Sequence, residues 1–402
     1  VNHIAVRLRM PDGSTLPCGE MVTSEPDSRG VMQGAFRYVS DYLNHPQAFA
    51  LDPDRLPLSD EEFATQRPSG VHAVFEDALP DDWGRRLLIR KGNLKRGEQT
   101  VPRMLQVMGT DGLGALSFFP SKGPSQEQPY AQMPELDQLM EAAYRYDAGE
   151  IVAPSAMSLL FRAASSPGGA RPKALIRDEN GDQWVAKFPS SRDQLDMIAI
   201  EAGTMDLARA CGLTVPDFFV EKIGRRSVLF VKRFDVVNGD GRRHMISAQT
   251  LLHAEGYYVL GYGDLFQAMR KITSQPSEDL PALFRQMVFN AAVGNTDDHL
   301  KNFTVLHDNS GFFLSPAYDL LPDTAQRREH VLFFQVDHVP PDRETLLRMA
   351  GRWRIREAGE IIDRVIDAVS AWQSVFITHG VTRKDIKRLD ASISLCLGKL
   401  RP

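Results

Sequence analysis

Short alternating runs of apolar and polar residues open the chain. Ile4, Val6, Leu8 and Met10 occupy every second position, the period of a half-buried strand. Pro11-Asp12-Gly13-Ser14 then supplies turn residues, which predicts a strand entering a hairpin. Gly34–Val39 reads as a further strand. Asp81–Arg90 reads as a helix headed by Pro80, Asp81 and Asp82, where the helix dipole favours acids. The acidic pair invites a metal reading, but charge at a helix N-terminus is the simpler account. Leu105–Met108 and Gly114–Phe119 close this unit. Residues 120–134, PSKGPSQEQPYAQMP, interrupt the pattern with Pro, Ser and Gln and predict a linker. Leu136, Leu139, Met140 and Tyr144 then share one side of a predicted helix over Glu135–Ala148.

Strand-like runs return at Ala174–Arg177 and Gln183–Phe188, either side of the turn Asp178–Asp182. Asp193–Cys211 carries a long apolar stripe and predicts a helix that Gly212 stops. Phe218–Lys222 and Ser227–Phe230 read as strands, with the loop Asn238–Arg243 after them. From about residue 246 the period is mostly helical, over Ala248–Ala254, Tyr262–Ile272, Leu280–Gly294, Thr345–Met349, Glu357–Trp372 and Arg383–Leu397. Two short strands, around 303–306 and 312–314, interrupt this series. The expected fold class is α+β, a two-lobed kinase-like plan. It has a small N-terminal subdomain at 1–125, a β-rich lobe at 135–240 and a helical lobe at 241–402.

Composition narrows the function classes. With 43% apolar and 25% charged residues, the chain reads as a folded globular protein. A net charge of -5 gives no electrostatic reason to expect nucleic acid as the main partner. Cys18, Cys211 and Cys396 stand singly with no C-x-x-C pair, so neither a disulfide framework nor a cysteine zinc site is indicated. No apolar run approaches the ~20 residues of a membrane span, and Val1–Arg9 lacks a signal-peptide pattern. A cytoplasmic protein with no membrane partner is expected.

The candidate chemistry lies in VGNTDDHLKNFTVLHDNSGFFLSPAYDLLP, residues 293–322. Asp297 and Asn302 are five residues apart, and Asp319 follows beyond a short hydrophobic segment. One carboxylate to handle an incoming hydroxyl, with an amide and a second carboxylate to hold magnesium, is the set that phosphoryl transfer needs. Upstream, SSPGGARPK at 165–173 precedes a strand, and Lys187 ends the next one. Small residues let backbone N–H groups approach phosphates, and a strand lysine can reach them as a point charge. Taken alone these features fit a plain hairpin better than a phosphate site, and no Walker A loop occurs. Glu201 sits within the apolar helix, either facing solvent or paired with Lys187. His299 reads as a structural hydrogen-bonder, because oxygen donors suit magnesium better. Asp298 is expected to point away from the reacting centre.

These motifs resemble the HipA family of bacterial toxin serine/threonine kinases. GNTDDHLKNF at 294–303 and SPAYDLLP at 315–322 carry the resemblance, with KFP at 187–189, the Glu201 helix and RFD at 233–235 in support. The resemblance implies an ATP- and Mg2+-dependent protein kinase. Asp297 is then the catalytic aspartate, and Asn302 and Asp319 bind magnesium. Lys187 contacts the phosphates. Gly168, Gly169, Ala170 and Lys173 belong to the phosphate loop, and backbone groups of Val231, Lys232 and Arg233 receive adenine. Ser166, or its neighbour Ser165, falls where the family is autophosphorylated. Arg171 stands where glutamine is common, and Lys232 where glutamate is common. The implied partners are a HipB-like helix-turn-helix antitoxin, operator DNA through that antitoxin, and a protein substrate. The substrate implied is an aminoacyl-tRNA synthetase, glutamyl-tRNA synthetase foremost. A kinase-like co-repressor without turnover and a small-molecule or lipid kinase on the same plan are the alternatives.

Overall fold

The computed structural model describes residues 1–121, 131–132, 135–163, 171–325, 327, 329–335 and 337–401. An antiparallel sheet forms from the first unit in the spatial order Phe63–Thr65, Gly34–Tyr38, Thr15–Thr23, Asn2–Arg9, Leu116–Pro120. The expected alternation is realised: Ile4, Val6 and Leu8 are buried on one face. The hairpin turn closes on Asp12, whose Oδ1 accepts from the Ser14 N–H at 2.8 Å, with Gly13 at φ +86°. That conformation costs glycine little and other residues more.

The second sheet runs Ala131–Gln132, Lys173–Arg177, Gln183–Lys187, Arg226–Lys232, Phe218–Ile223. Its first pair is parallel and the others antiparallel. The helix Met197–Ala210 covers one face, packing Ile198, Ala202 and Met205 against Leu229 and Val231. The helices Leu136–Asp147 and Pro154–Ala163 cover the other, packing Leu139, Ala143 and Leu160 against Ala174, Ala186 and Phe230. Trp83 and Leu87, from the helix Asp82–Lys91 of the first unit, join this cluster. The two units therefore share a core.

Differences from the sequence reading have local causes. The helix expected from Asp193 starts at Met197, because Asp196 caps it by accepting from the Ala199 N–H at 3.0 Å. Asp193 instead accepts from the Ser190 N–H. The helix Pro154–Ala163 and the short strand Ala131–Gln132 were not expected. The latter falls in the stretch read as a linker. The single helix expected over Glu357–Trp372 divides into Ala358–Ser370 and Trp372–Thr378.

The C-terminal region surrounds the helix Pro276–Val293, buried along most of its length through Leu283, Phe284, Met287, Val288 and Phe289. The helices Tyr262–Ile272, Ala358–Ser370 and Arg383–Leu400 pack on it. The two short strands expected here form as Thr304–Asp308 and Gly311–Leu314, and His244–Ser247 pairs with them as a third. The two-stranded ribbon just before this third strand, Val236–Val237 with Gly241–Arg242, meets the first unit closely. A Cβ on Gly241 would lie 2.0 Å from the Pro11 carbonyl oxygen, so only glycine fits there. The Arg242 N–H beside it donates to the Met10 carbonyl at 3.1 Å. Among the described residues no helix is long and apolar enough to cross a membrane.

His244 lies at this junction, 1% exposed, its Nε2 2.8 Å from the Leu51 carbonyl oxygen. Burial pushes its imidazole down to about 3. Below pH 6.5 the unfolded chain therefore binds the proton that the folded chain refuses, and stability falls as pH falls toward 3. At pH 5 the loss from this one group is about 2 kcal/mol. Thermal melts at pH 7.5 and 5 should show His244→Gln flattening part of that dependence.

Candidate functional site

The site is assembled from the second sheet, the helix over it and the loops of the helical region. Lys173 and Lys187 stand directly opposite each other on adjacent antiparallel strands. Opposite residues in such a pair project to the same face, here the face covered by the helix Met197–Ala210. Two ammonium groups on one buried face need acids. Glu201, 4% exposed, projects from that helix and pairs with the Lys187 Nζ. Asp319, from the loop after Gly311–Leu314, pairs with the same Nζ from the other side. Burial works against the Lys187 charge, but Asp319 and Glu201 outweigh it and hold the ammonium above its ordinary value. Burial would likewise raise the Asp319 carboxyl, yet Lys187 and Lys173 hold it well below the usual carboxylate range. Burial lowers Lys173, with Asp319 offsetting part of the effect and Lys187 adding to it.

The other expected residues sit on the loop that follows Pro276–Val293. Gly294, at φ +72°, ends that helix in a left-handed turn. Asp297 is exposed at the loop's outer edge. Asn302 Nδ2 donates to the Asp297 carbonyl at 2.8 Å, which bends the loop back on itself. Asp298 turns inward, as expected, and is fully buried. Its carboxylate accepts from Tyr262 Oη at 2.6 Å and from the Val331 and Leu332 N–H groups at 2.9 and 3.3 Å, with His330 Nδ1 at 2.9 Å. This structural carboxylate fixes the direction in which its neighbour Asp297 points.

Tyr318 joins the two loops. Its hydroxyl lies 2.6 Å from Thr304 Oγ1 and donates to the Lys301 carbonyl at 2.6 Å. Its ring lies 5.4 Å from that of Phe234, just beyond the strand Arg226–Lys232. Asp319 follows at φ +52°, a conformation that costs most non-glycine residues about 1 kcal/mol and that short polar side chains tolerate best. The sequence reading passed over Tyr318, although it lies within SPAYD and directly precedes Asp319.

The remaining expectations divide. Val231 is buried in its strand. The N–H groups of Lys232 and Arg233 donate to the Asp217 and Gln183 carbonyls at 2.7 and 2.9 Å, so adenine recognition there would fall to other atoms. The Lys232 ammonium pairs with Asp182 at 2.7 Å, and the Arg233 guanidinium is buried against Asp235. Arg171 pairs with Asp193 at 2.7 Å. Ser165, Ser166, Gly168, Gly169 and Ala170 lie outside the described residues. Among the described residues, no three His, Cys, Asp or Glu side chains gather as a metal site. The donors that the resemblance assigns are the Asn302 amide oxygen and the Asp319 carboxylate. Two oxygen donors fit magnesium, which keeps several of its waters, better than a metal that needs a full protein cage.

Comparisons with known proteins identify the family and the fold. The family described as HipA-like C-terminal domain matches residues 165–372, and the HipA N-terminal domain matches residues 19–119. A Sinorhizobium fredii protein, Y4mE, named as a candidate kinase, is 33% identical over 151 residues. That match covers 35% of this chain, which thus spans only 34% of the relative's length. The serine/threonine-protein kinase toxin HipA of Shewanella oneidensis is 25% identical over 323 residues, covering 71% of this chain and 69% of that one. A solved complex of HipA, HipB and operator DNA from Shewanella oneidensis MR-1 contains a chain of the same fold. Its TM-score is 0.69 at 19% identity, over 98% of this chain and 96% of that chain.

The Lys187 pairings make a stability prediction. Lys187→Met strands the buried Glu201 carboxylate without its counter-charge, and breaking such a pair costs about 3 kcal/mol. Adding Glu201→Gln should recover part of the loss in urea denaturation.

Proposed function

Because the chain belongs to the HipA family, we propose that it is an ATP- and magnesium-dependent protein serine/threonine kinase, the toxin of a toxin–antitoxin pair. One observation carries the reading. A buried lysine bridges a helix glutamate and a loop aspartate, beside a loop that presents an exposed second aspartate. In kinases a strand lysine paired with a helix glutamate positions the phosphates, and two separate acids handle metal and nucleophile.

The residues divide the work accordingly. Lys187 and Lys173 supply positive charge where the phosphates of ATP would lie. Asn302 and Asp319 would hold magnesium, which supplies further neutralisation of phosphate charge. Asp297 accepts the proton of the incoming serine or threonine hydroxyl as that oxygen attacks the γ-phosphorus and ADP leaves. Asp298 keeps Asp297 aimed outward, toward a substrate too large to enter the cleft. Phosphates would compete with Asp319 for Lys187, so the pairing described above belongs to the nucleotide-free protein. Ser165 and Ser166 are the proposed sites of inhibitory autophosphorylation. The proposed partner is a HipB-like helix-turn-helix antitoxin, and operator DNA is reached through it. An aminoacyl-tRNA synthetase, glutamyl-tRNA synthetase first, is the proposed substrate.

Incubation with γ-labelled ATP and magnesium in a cell lysate should label protein bands. Asp297→Gln should lower labelling at least about a hundredfold without changing the melting temperature. Label confined to small molecules or lipid would assign the transfer to another substrate class. Phosphoproteomics after induced expression, wild type against Asp297→Gln, should reveal the target as a phosphoserine or phosphothreonine present only with the wild type.

A further inference from the structure

The acidic pair at the head of the helix Asp82–Lys91 looks, in the sequence, like ordinary helix-terminal charge. The structure uses Asp81 differently. Asp81 is the N-cap residue, yet its side chain makes no capping hydrogen bond to its own helix. Its carboxylate reaches Lys301, 220 positions along the chain, with Oδ1 2.8 Å from Nζ. Lys301 immediately precedes Asn302 on the catalytic loop.

The same stretch of the first unit holds the loop on its other side. Asp77 accepts from the Ser247 N–H at 2.8 Å and from the Ser247 hydroxyl at 2.7 Å. Ser247 pairs with Thr304 in the small sheet. The N–H of the next residue, Ala248, donates to the Phe303 carbonyl at 2.8 Å. Lys301 and Phe303, the two neighbours of Asn302, are thus tied to one short segment, Asp-Ala-Leu-Pro-Asp at 77–81. That segment is itself anchored by Trp83 and Leu87 in the core of the second sheet. Asn302 in turn holds the Asp297 carbonyl.

We infer that residues 77–81 of the N-terminal unit form a clasp that positions the catalytic loop, with Asp81 as its adjustable arm. Asp81 and Asp77 are positioning residues: they act on Asn302 and Asp297 through Lys301 and Phe303 and touch no reacting atom. The first unit is then part of the catalytic apparatus. The inference rests on the kinase reading only for its effect on rate, since the clasp itself is a property of the loop's geometry.

Asp81 is the residue to test, because its side chain is 35% exposed and its replacement should fold, whereas Asp77 accepts two hydrogen bonds from Ser247. In the full-length protein, Asp81→Ala should lower kcat about tenfold, since small misplacements of catalytic groups carry costs of this order. KM for ATP and the melting temperature should stay close to wild type. The reversed pair Asp81→Lys with Lys301→Asp should transfer phosphate faster than either single reversal. Hydrogen–deuterium exchange of peptides spanning 297–304 provides a readout that needs no activity, and it should quicken at least threefold in Asp81→Ala. Wild-type kcat together with unchanged exchange in Asp81→Ala would overturn the clasp. A wild-type protein that transfers no phosphate, but whose loop exchange still quickens in Asp81→Ala, would sink the kinase reading and leave the clasp standing.

Discussion

Two lysines facing one buried space set the terms for the rest of this molecule. Lys173 and Lys187 are cross-strand neighbours, and like charges so placed repel. Neither can turn to bulk water, because the helix Met197–Ala210 lies over them. The arrangement holds only if acids arrive from outside the sheet. One comes from the covering helix, as Glu201, and the other from the far lobe, as Asp319. The electrostatic demand of a two-strand ladder therefore ties the Asp319 loop to a sheet and helix that hydrophobic packing already joins.

The acids are placed by covalent economy. The hairpin Thr304–Asp308 and Gly311–Leu314 leaves the Asp297–Asn302 loop and returns to Asp319 within a few residues. Asn302 and Asp319 thereby both flank the open end of one antiparallel pair. Tyr318 closes the open end by bonding across to Lys301 and Thr304. Its ring also rests against Phe234 on the β-rich side, so a single side chain touches both loops and both lobes. Asp298 performs a similar service on the other flank, where four donor groups converge on one carboxylate.

Most of the elements were legible in the sequence because their burial is periodic. The strand at Ile4–Met10, the Glu201 helix and Tyr262–Ile272 all show clear two- or 3.6-residue patterns. Ala131–Gln132 is too short to show a period and exists only because Lys173–Arg177 offers an edge. Within the site, the separation of Asp297 from Asn302 and Asp319 is a local feature and could be read directly. Glu201 was ambiguous, since an acid in an apolar stripe signals a partner without naming it. What Asp298 and Asp81 do depends on groups tens to hundreds of residues away. Nothing near either residue announces Tyr262, His330 or Lys301, and only the folded chain brings them together.

The span between Asp81 and Lys301 also has a meaning in time. A chain leaves the ribosome at about 5–20 residues per second, so on the order of 10–40 s separate the emergence of these two side chains. The first unit can complete its sheet during that interval, before Ser247 and Lys301 exist to meet Asp77 and Asp81. Asp77 gains Ser247 before Asp81 gains Lys301, and Asp319 reaches Lys187 later still. The pairing at Lys187 is thus completed only after more than three quarters of the chain has emerged, and a shorter chain carries Lys173 and Lys187 without the loop that brings Asp319 to them.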